Sequence, residues 1–278
     1  MNRTSSTVSG AAVTALALGS IAGVALGGRT AYLRFRRRIA ANALVLNETL
    51  PINSKWWRDL AKKKGDLLYV AIGDSAAQGI GASAPHRGYV GLLARQIREA
   101  TGRTVRVLNL SVSGATVGLA VRDQLPRFMK VRQPDIVTVA IGANDIALWD
   151  PVAFEAGIRR LFGALPTYAI VADLPCFHLP HNERKVAIAN GIVRRVAAES
   201  GLTLAPLHDV TRRQGLRRAL TQVANDMFHP NDRGYRIWAD AFGPVLADDL
   251  RRRFPPRADA AARPQAGAVA SGSVSGAS

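Results

Sequence analysis

From Leu67 onward, short apolar runs alternate with longer amphipathic stretches. Leu67-Leu68-Tyr69-Val70-Ala71-Ile72 is an unbroken apolar run that includes aromatic and β-branched residues, and it reads as a strand buried on both faces. Tyr89–Ala100 has the spacing of an amphipathic helix, and Gly102 ends it. Thr104–Leu110 reads as a second strand, followed by a helix over roughly Val117–Val131. Asp135–Ile141 is a third strand, Val152–Phe162 a helix and Tyr168–Leu174 a fourth strand. A long helix over His181–Ser200, a short fifth strand at Leu202–Leu207 and a closing helix at Arg233–Phe254 complete the pattern. Strands alternating with helices at this spacing predict a parallel sheet covered on both faces.

The flanks follow other rules. Val8 to about Gly28 is an uncharged stretch rich in Ala, Gly, Val and Leu, long enough to cross a bilayer as a helix. Two readings stand for residues 1–28. One is a signal peptide, with Arg3 before the span and small residues near Ala25-Leu26-Gly27. The other is an uncleaved anchor, because Arg29, Arg34, Arg36, Arg37 and Arg38 follow at once. Positive flanks prefer the cytoplasmic side, so the anchor reading places the carboxyl-terminal bulk in the cytoplasm and the signal reading exports it. Residues 29–64 continue as a basic juxtamembrane segment in which Trp56 and Trp57 lie among lysines and arginines. Those tryptophans suit either a membrane interface or the cap of the following domain. Residues 65–254 are the folded domain, and 255–278 collapse to Ala, Gly, Ser, Pro and Arg, the composition of a disordered tail.

The formal net charge of +17 belongs mostly to these flanks. Residues 1–64 hold eleven Lys/Arg against Glu48 and Asp59, and the tail from Arg251 holds five Arg against Asp259. The intervening domain is close to balanced, without the basic face that nucleic-acid binding needs, so no nucleic-acid partner is expected. Cys176 is the sole cysteine, which excludes an intramolecular disulfide, and its place after an apolar run suggests a buried structural thiol. No Cys/His cluster has zinc-ligand spacing, so neither a metal nor an organic cofactor is expected.

Four short segments sit at strand ends or before the closing helix. Gly73-Asp74-Ser75 follows the first strand, Asn109-Leu110-Ser111-Val112-Ser113-Gly114 the second and Gly142-Ala143-Asn144-Asp145 the third, while Asp226-Met227-Phe228-His229-Pro230 precedes the last helix. In a parallel sheet the first three loops emerge on one edge, so Ser75, Gly114 and Asn144 can converge. This set, in this order between Leu67 and Phe254, resembles the SGNH/GDSL hydrolase family, whose four block residues match Ser75, Gly114, Asn144 and His229. The resemblance implies a three-layer α/β/α sandwich with a central five-stranded parallel sheet, flavodoxin-like in topology.

It also implies a serine esterase acting on small-molecule or lipid esters. A serine hydroxyl needs a neighbouring base, and His229 is suited to that task, with Asp226 to receive the other imidazole N–H. The resemblance assigns the oxyanion hole to the backbone N–H groups of Ser75 and Gly114 and the side-chain amide of Asn144. Asp74 and Asp145 are expected to hold loops, and His181 to sit in a loop that is exposed or borders the acyl pocket. Gly73-Asp74-Ser75-Ala76-Ala77 lacks the Gly-x-Ser-x-Gly elbow, and the glycines at 73, 79 and 81 fit neither dinucleotide nor phosphate-loop spacing. An acyltransferase on the same triad and a non-catalytic membrane-attached binding module are the alternatives.

Overall fold

Two hydrophobic layers, one on each side of a single sheet, organise the chain. The computed structural model describes Arg34, Arg37 and residues 48–255. The expected membrane span at Val8–Gly28 and the tail beyond Pro255 lie outside the described residues. No helix among the described residues is long and apolar enough to cross a membrane.

The elements run α1 (residues 48–61), β1 (Leu67–Gly73), α2 (Ser75–Gln78), α3 (Tyr89–Thr101), β2 (Val105–Asn109), α4 (Val117–Leu119), α5 (Leu125–Phe128), β3 (Ile136–Ala140), α6 (Pro151–Phe162), β4 (Ile170–Ala172), α7 (Pro180–Glu199), β5 (Thr203–Ala205), α8 (Leu207–Arg212), α9 (Gly215–Ala219) and α10 (Asp232–Arg253). The sheet is parallel throughout, in the order β2-β1-β3-β4-β5. That is the flavodoxin-like order, whose switch point lies between β1 and β3.

Side chains alternate across the sheet. Leu67, Tyr69 and Ala71 of β1 join a core with α3 and α10, whereas Val70 and Ile72 join the opposite core with α6 and α7. Tyr69 and Thr138 are both buried and satisfy each other through a 2.7 Å hydroxyl–hydroxyl bond between β1 and β3. This two-sided burial explains why β1 is an apolar run rather than an alternating pattern.

Two expectations change. The stretch read as one helix over Val117–Val131 has α4 and α5 separated by a π-helical turn at Ala120–Gln124, where the Leu125 N–H reaches the Ala120 carbonyl. Pro126 follows directly; it has no N–H to donate, which weakens regular α-helical bonding at this point. The tryptophans also part from the membrane-interface reading. Trp57 is buried in the α3/α10 core, and Trp56 packs against it edge-on with ring centroids 4.6 Å apart. Residues 48–61 are therefore part of the domain's packing, and Trp57 caps it.

Candidate active site

The strand β1 delivers Ser75 to the first position of α2, a single turn whose ends are both secured from elsewhere. At its start, Asp74 caps the helix by accepting the Ala76 N–H at 2.9 Å. At its end, the Gln78 carbonyl accepts from the Asn53 amide at 3.1 Å and the Trp57 indole N–H at 3.0 Å, both from α1. The Gln78 side chain reaches the Ser111 carbonyl at 2.9 Å, and Asn109 Nδ2 reaches the Ala77 carbonyl at 2.7 Å. The loop after β2 is thereby tied to the serine's helix. Behind it, Gln124 on the π turn mimics a strand: its Oε1 accepts the Gly73 N–H at 3.1 Å and its Nε2 donates to the Gly73 carbonyl at 2.8 Å. Gln124 is fully buried, and π turns are frequent where function needs a side chain placed irregularly.

Ser75 Oγ lies 2.8 Å from His229 Nε2, and His229 Nδ1 lies 2.5 Å from Asp226 Oδ2. The other Asp226 oxygen accepts the backbone N–H groups of Phe228 and His229, each at 3.0 Å. Burial pushes the Asp226 carboxyl upward, but the His229 hydrogen bond and the Phe228 amide outweigh it, so the group sits below its ordinary range. An ionised carboxylate only accepts, which puts the imidazole proton on Nδ1 and turns the Nε2 lone pair towards the serine hydroxyl. Gly81 makes this turn possible. Its φ is +91°, and a Cβ there would stand 2.5 Å from the Pro230 carbonyl and 2.9 Å from His229 Cβ.

Gly114 also has a left-handed backbone, at φ +73°. Among the described residues, no protein acceptor takes the backbone N–H of Ser75 or of Gly114. The Asn144 side-chain amide, which the resemblance assigns to the oxyanion hole, is hydrogen-bonded within the protein. Its Nδ2 donates to Asp74 Oδ2 at 3.2 Å and to the Ala115 carbonyl at 3.0 Å, linking the loops after β1, β2 and β3. Asp145 accepts the Val117 N–H at 3.0 Å, so both aspartates beside the motifs hold loops.

Burial pushes the Asp74 carboxyl up to about 6 despite the Ala76 amide and the nearby His229. The folded chain thus binds this proton more tightly than the unfolded chain, whose aspartate titrates near 3.8. Stability contributed by this group is present at low pH and is lost as pH rises from about 4 to about 6. Two pKa units correspond to roughly 3 kcal/mol. Asp74→Asn keeps an acceptor for the Ala76 amide and does not titrate. Urea unfolding between pH 4 and 7 is expected to show a decline smaller by roughly 2–3 kcal/mol than in wild type; an unchanged pH dependence would show that Asp74 is not the group responsible.

A cavity of ≈ 320 Å³ opens beside Ser75 and His229, with apolar walls from Phe177, Leu179, Met227, Phe228, Ile237 and Trp238. Phe228 meets the His229 ring edge-on, with centroids 5.0 Å apart. Cys176 lines this cavity and is half-buried, not the enclosed thiol that its position after β4 suggests. His181 is exposed in the first turn of α7 and does not line the cavity. Gln124, Gly81, Asn53 and Trp57 carry no local motif.

The profile of the GDSL-like lipase/acylhydrolase family matches residues 71–237. The GDSL-like esterase Rv1075c of Mycobacterium tuberculosis is 26% identical over 204 residues, covering 68% of this chain; the match spans 64% of that relative's length. Among solved structures, LAE5, an α/β hydrolase enzyme from the metagenome of Lake Arreo in Spain, is 26% identical with a TM-score of 0.53, over 66% of this chain and 96% of LAE5. TesA shares the fold at 21% identity and a TM-score of 0.56, over 66% of this chain and 99% of its own. The matched residues contain the carboxyl end of β1, the Ser75 helix, the loops bearing Gly114 and Asn144, and the Asp226–His229 turn, and the chain belongs to the GDSL-like lipase/acylhydrolase family.

Proposed function

We propose that this protein is a serine esterase that cleaves carboxylic esters or thioesters through an acyl-Ser75 intermediate. The observation that carries the reading is the continuous relay from Ser75 Oγ through both His229 nitrogens to Asp226, set at the mouth of an apolar cavity. Family membership and the esterase relative support it. His229 Nε2 takes the hydroxyl proton as Oγ attacks the acyl carbon, and Asp226 stabilises the imidazolium that results. The Ser75 and Gly114 amides are free to meet the developing oxyanion. Asn144 joins them by giving up its 3.2 Å bond to Asp74, the longer of its two. The imidazolium then protonates the leaving group, and water repeats the sequence on the acyl-serine.

The cavity also bears on the acyl group. At ≈ 320 Å³ it lies at the small end of ligand pockets. A panel of p-nitrophenyl esters is expected to give the highest kcat/KM for acyl chains of about four to eight carbons and a fall of at least about tenfold for palmitate. Equal efficiency on butyrate and palmitate would remove the size limit. Turnover no greater than that of Ser75→Ala on every ester would overturn the esterase reading.

A further inference from the structure

Beside the same cavity, and apart from the triad, three side chains with metal-binding atoms meet from three different elements. Cys176 lies on the loop after β4, Glu183 in the first turn of α7 and His208 in the first turn of α8. One ligand atom from each lies within 4.8 Å of the other two. His208 Nε2 and Glu183 Oε2 are 3.0 Å apart. We propose that Cys176, Glu183 and His208 form a binding site for a divalent transition-metal ion, with zinc the best fit.

The donor set favours zinc because thiolate sulfur, imidazole nitrogen and carboxylate oxygen are its usual ligands. Bonds of 2.0–2.3 Å in a tetrahedron place ligand atoms about 3.3–3.6 Å apart, so an ion needs this cluster to shift only by small side-chain rotations. Three protein ligands leave a fourth position open, as in zinc sites that bind water or a substrate atom. Cys176 borders the cavity, and His178, another cavity-lining residue, has its Nδ1 3.5 Å from Sγ.

Each ligand is already aimed by its surroundings. Glu183 Oε1 accepts the Phe177 N–H, which leaves Oε2 for the cluster. The Cys176 N–H donates to Thr211 Oγ1 at 2.9 Å. The His208 N–H donates to Asp173 Oδ1 at 2.8 Å, and Asp173 is buried and anchored by Arg194 at 2.6 Å. The second His208 nitrogen lies 3.8 Å from Asp209 Oδ1, too far for a hydrogen bond, so it is the backbone bond to Asp173 that fixes this residue. The sequence offers no zinc motif here because the ligands are separated by long, unequal intervals and converge only through the sheet.

The test is metal binding by the full chain, purified without a histidine tag and stripped with a chelator. Titration with Co²⁺ is expected to produce a near-ultraviolet thiolate-to-cobalt charge-transfer band that saturates at one equivalent and is displaced by Zn²⁺. Cys176→Ser, a near-isosteric change, should abolish the band. His208→Ala and Glu183→Gln should weaken Zn²⁺ binding by more than the roughly 10–100-fold that loss of an outer-shell partner costs. Ser75→Ala should bind as wild type does, which separates this site from the esterase assignment. Zn²⁺ should also raise the melting temperature of wild type and leave that of metal-free, folded Cys176→Ser unchanged. No charge-transfer band in wild type, or Zn²⁺ affinity unaltered in His208→Ala and Glu183→Gln, would overturn the proposal and leave an ordinary His208–Glu183 pair beside a thiol.

Discussion

Ser75→Ala is expected to lower kcat by on the order of 10⁴–10⁶-fold on any ester the wild-type protein turns over, and His229→Ala by nearly as much. The two residues act as one device, since Oγ is a poor nucleophile until Nε2, at 2.8 Å, takes its proton. Removing either half leaves the other without a task. The double variant should therefore be little worse than either single one, far from the product of the two losses. KM should change far less than kcat, because the cavity walls that hold the acyl group remain. A phosphonate ester that labels wild type stoichiometrically should leave Ser75→Ala unmodified by intact-mass measurement. Wild-type turnover by Ser75→Ala would remove the acyl-serine mechanism, and additive losses in the double variant would mean that His229 acts independently of Ser75.

Much of this arrangement was legible in the sequence because it depends on local signals. The apolar run of β1 ends where the sheet ends, and the expected helix His181–Ser200 differs from α7 by one residue at each end. The closing helix likewise begins one residue earlier than expected, at Asp232, because Asn231 caps it by accepting the Arg233 and Gly234 N–H groups. The blocks at Ser75, Gly114, Asn144 and Asp226–His229 could be found because each occupies a strand exit or a helix approach. What stayed hidden is non-local. Gln124 bonds a residue 51 positions away, and Trp57 one 21 positions away, so neither spacing nor propensity marks them. Trp57 was open to two readings because its neighbours are basic, and the core contacts that decide between them arise only when α1 docks. Asn144 carries the same lesson at the site itself: its motif identifies a donor, but only the fold shows that Asp74 and the Ala115 carbonyl hold that donor.

Asp226→Asn is expected to lower kcat by on the order of 10³–10⁴-fold with KM little changed, although it alters a single atom. The two backbone amides of Phe228 and His229 point at Oδ1 and require an oxygen there. The asparagine must then place its NH₂ where Oδ2 stood, 2.5 Å from His229 Nδ1, and donate to that nitrogen. The imidazole answers by moving its proton to Nε2, which then presents a hydrogen to Ser75 Oγ where a lone pair is needed. The geometry survives, the base does not, and the positive charge formed in the transition state loses its partner. Stopped-flow and steady-state rates on the best ester of the panel would give the kcat and KM separately. A kcat within about threefold of wild type would detach Asp226 from the relay and leave its carboxylate only the structural task of closing the Asp226–His229 turn.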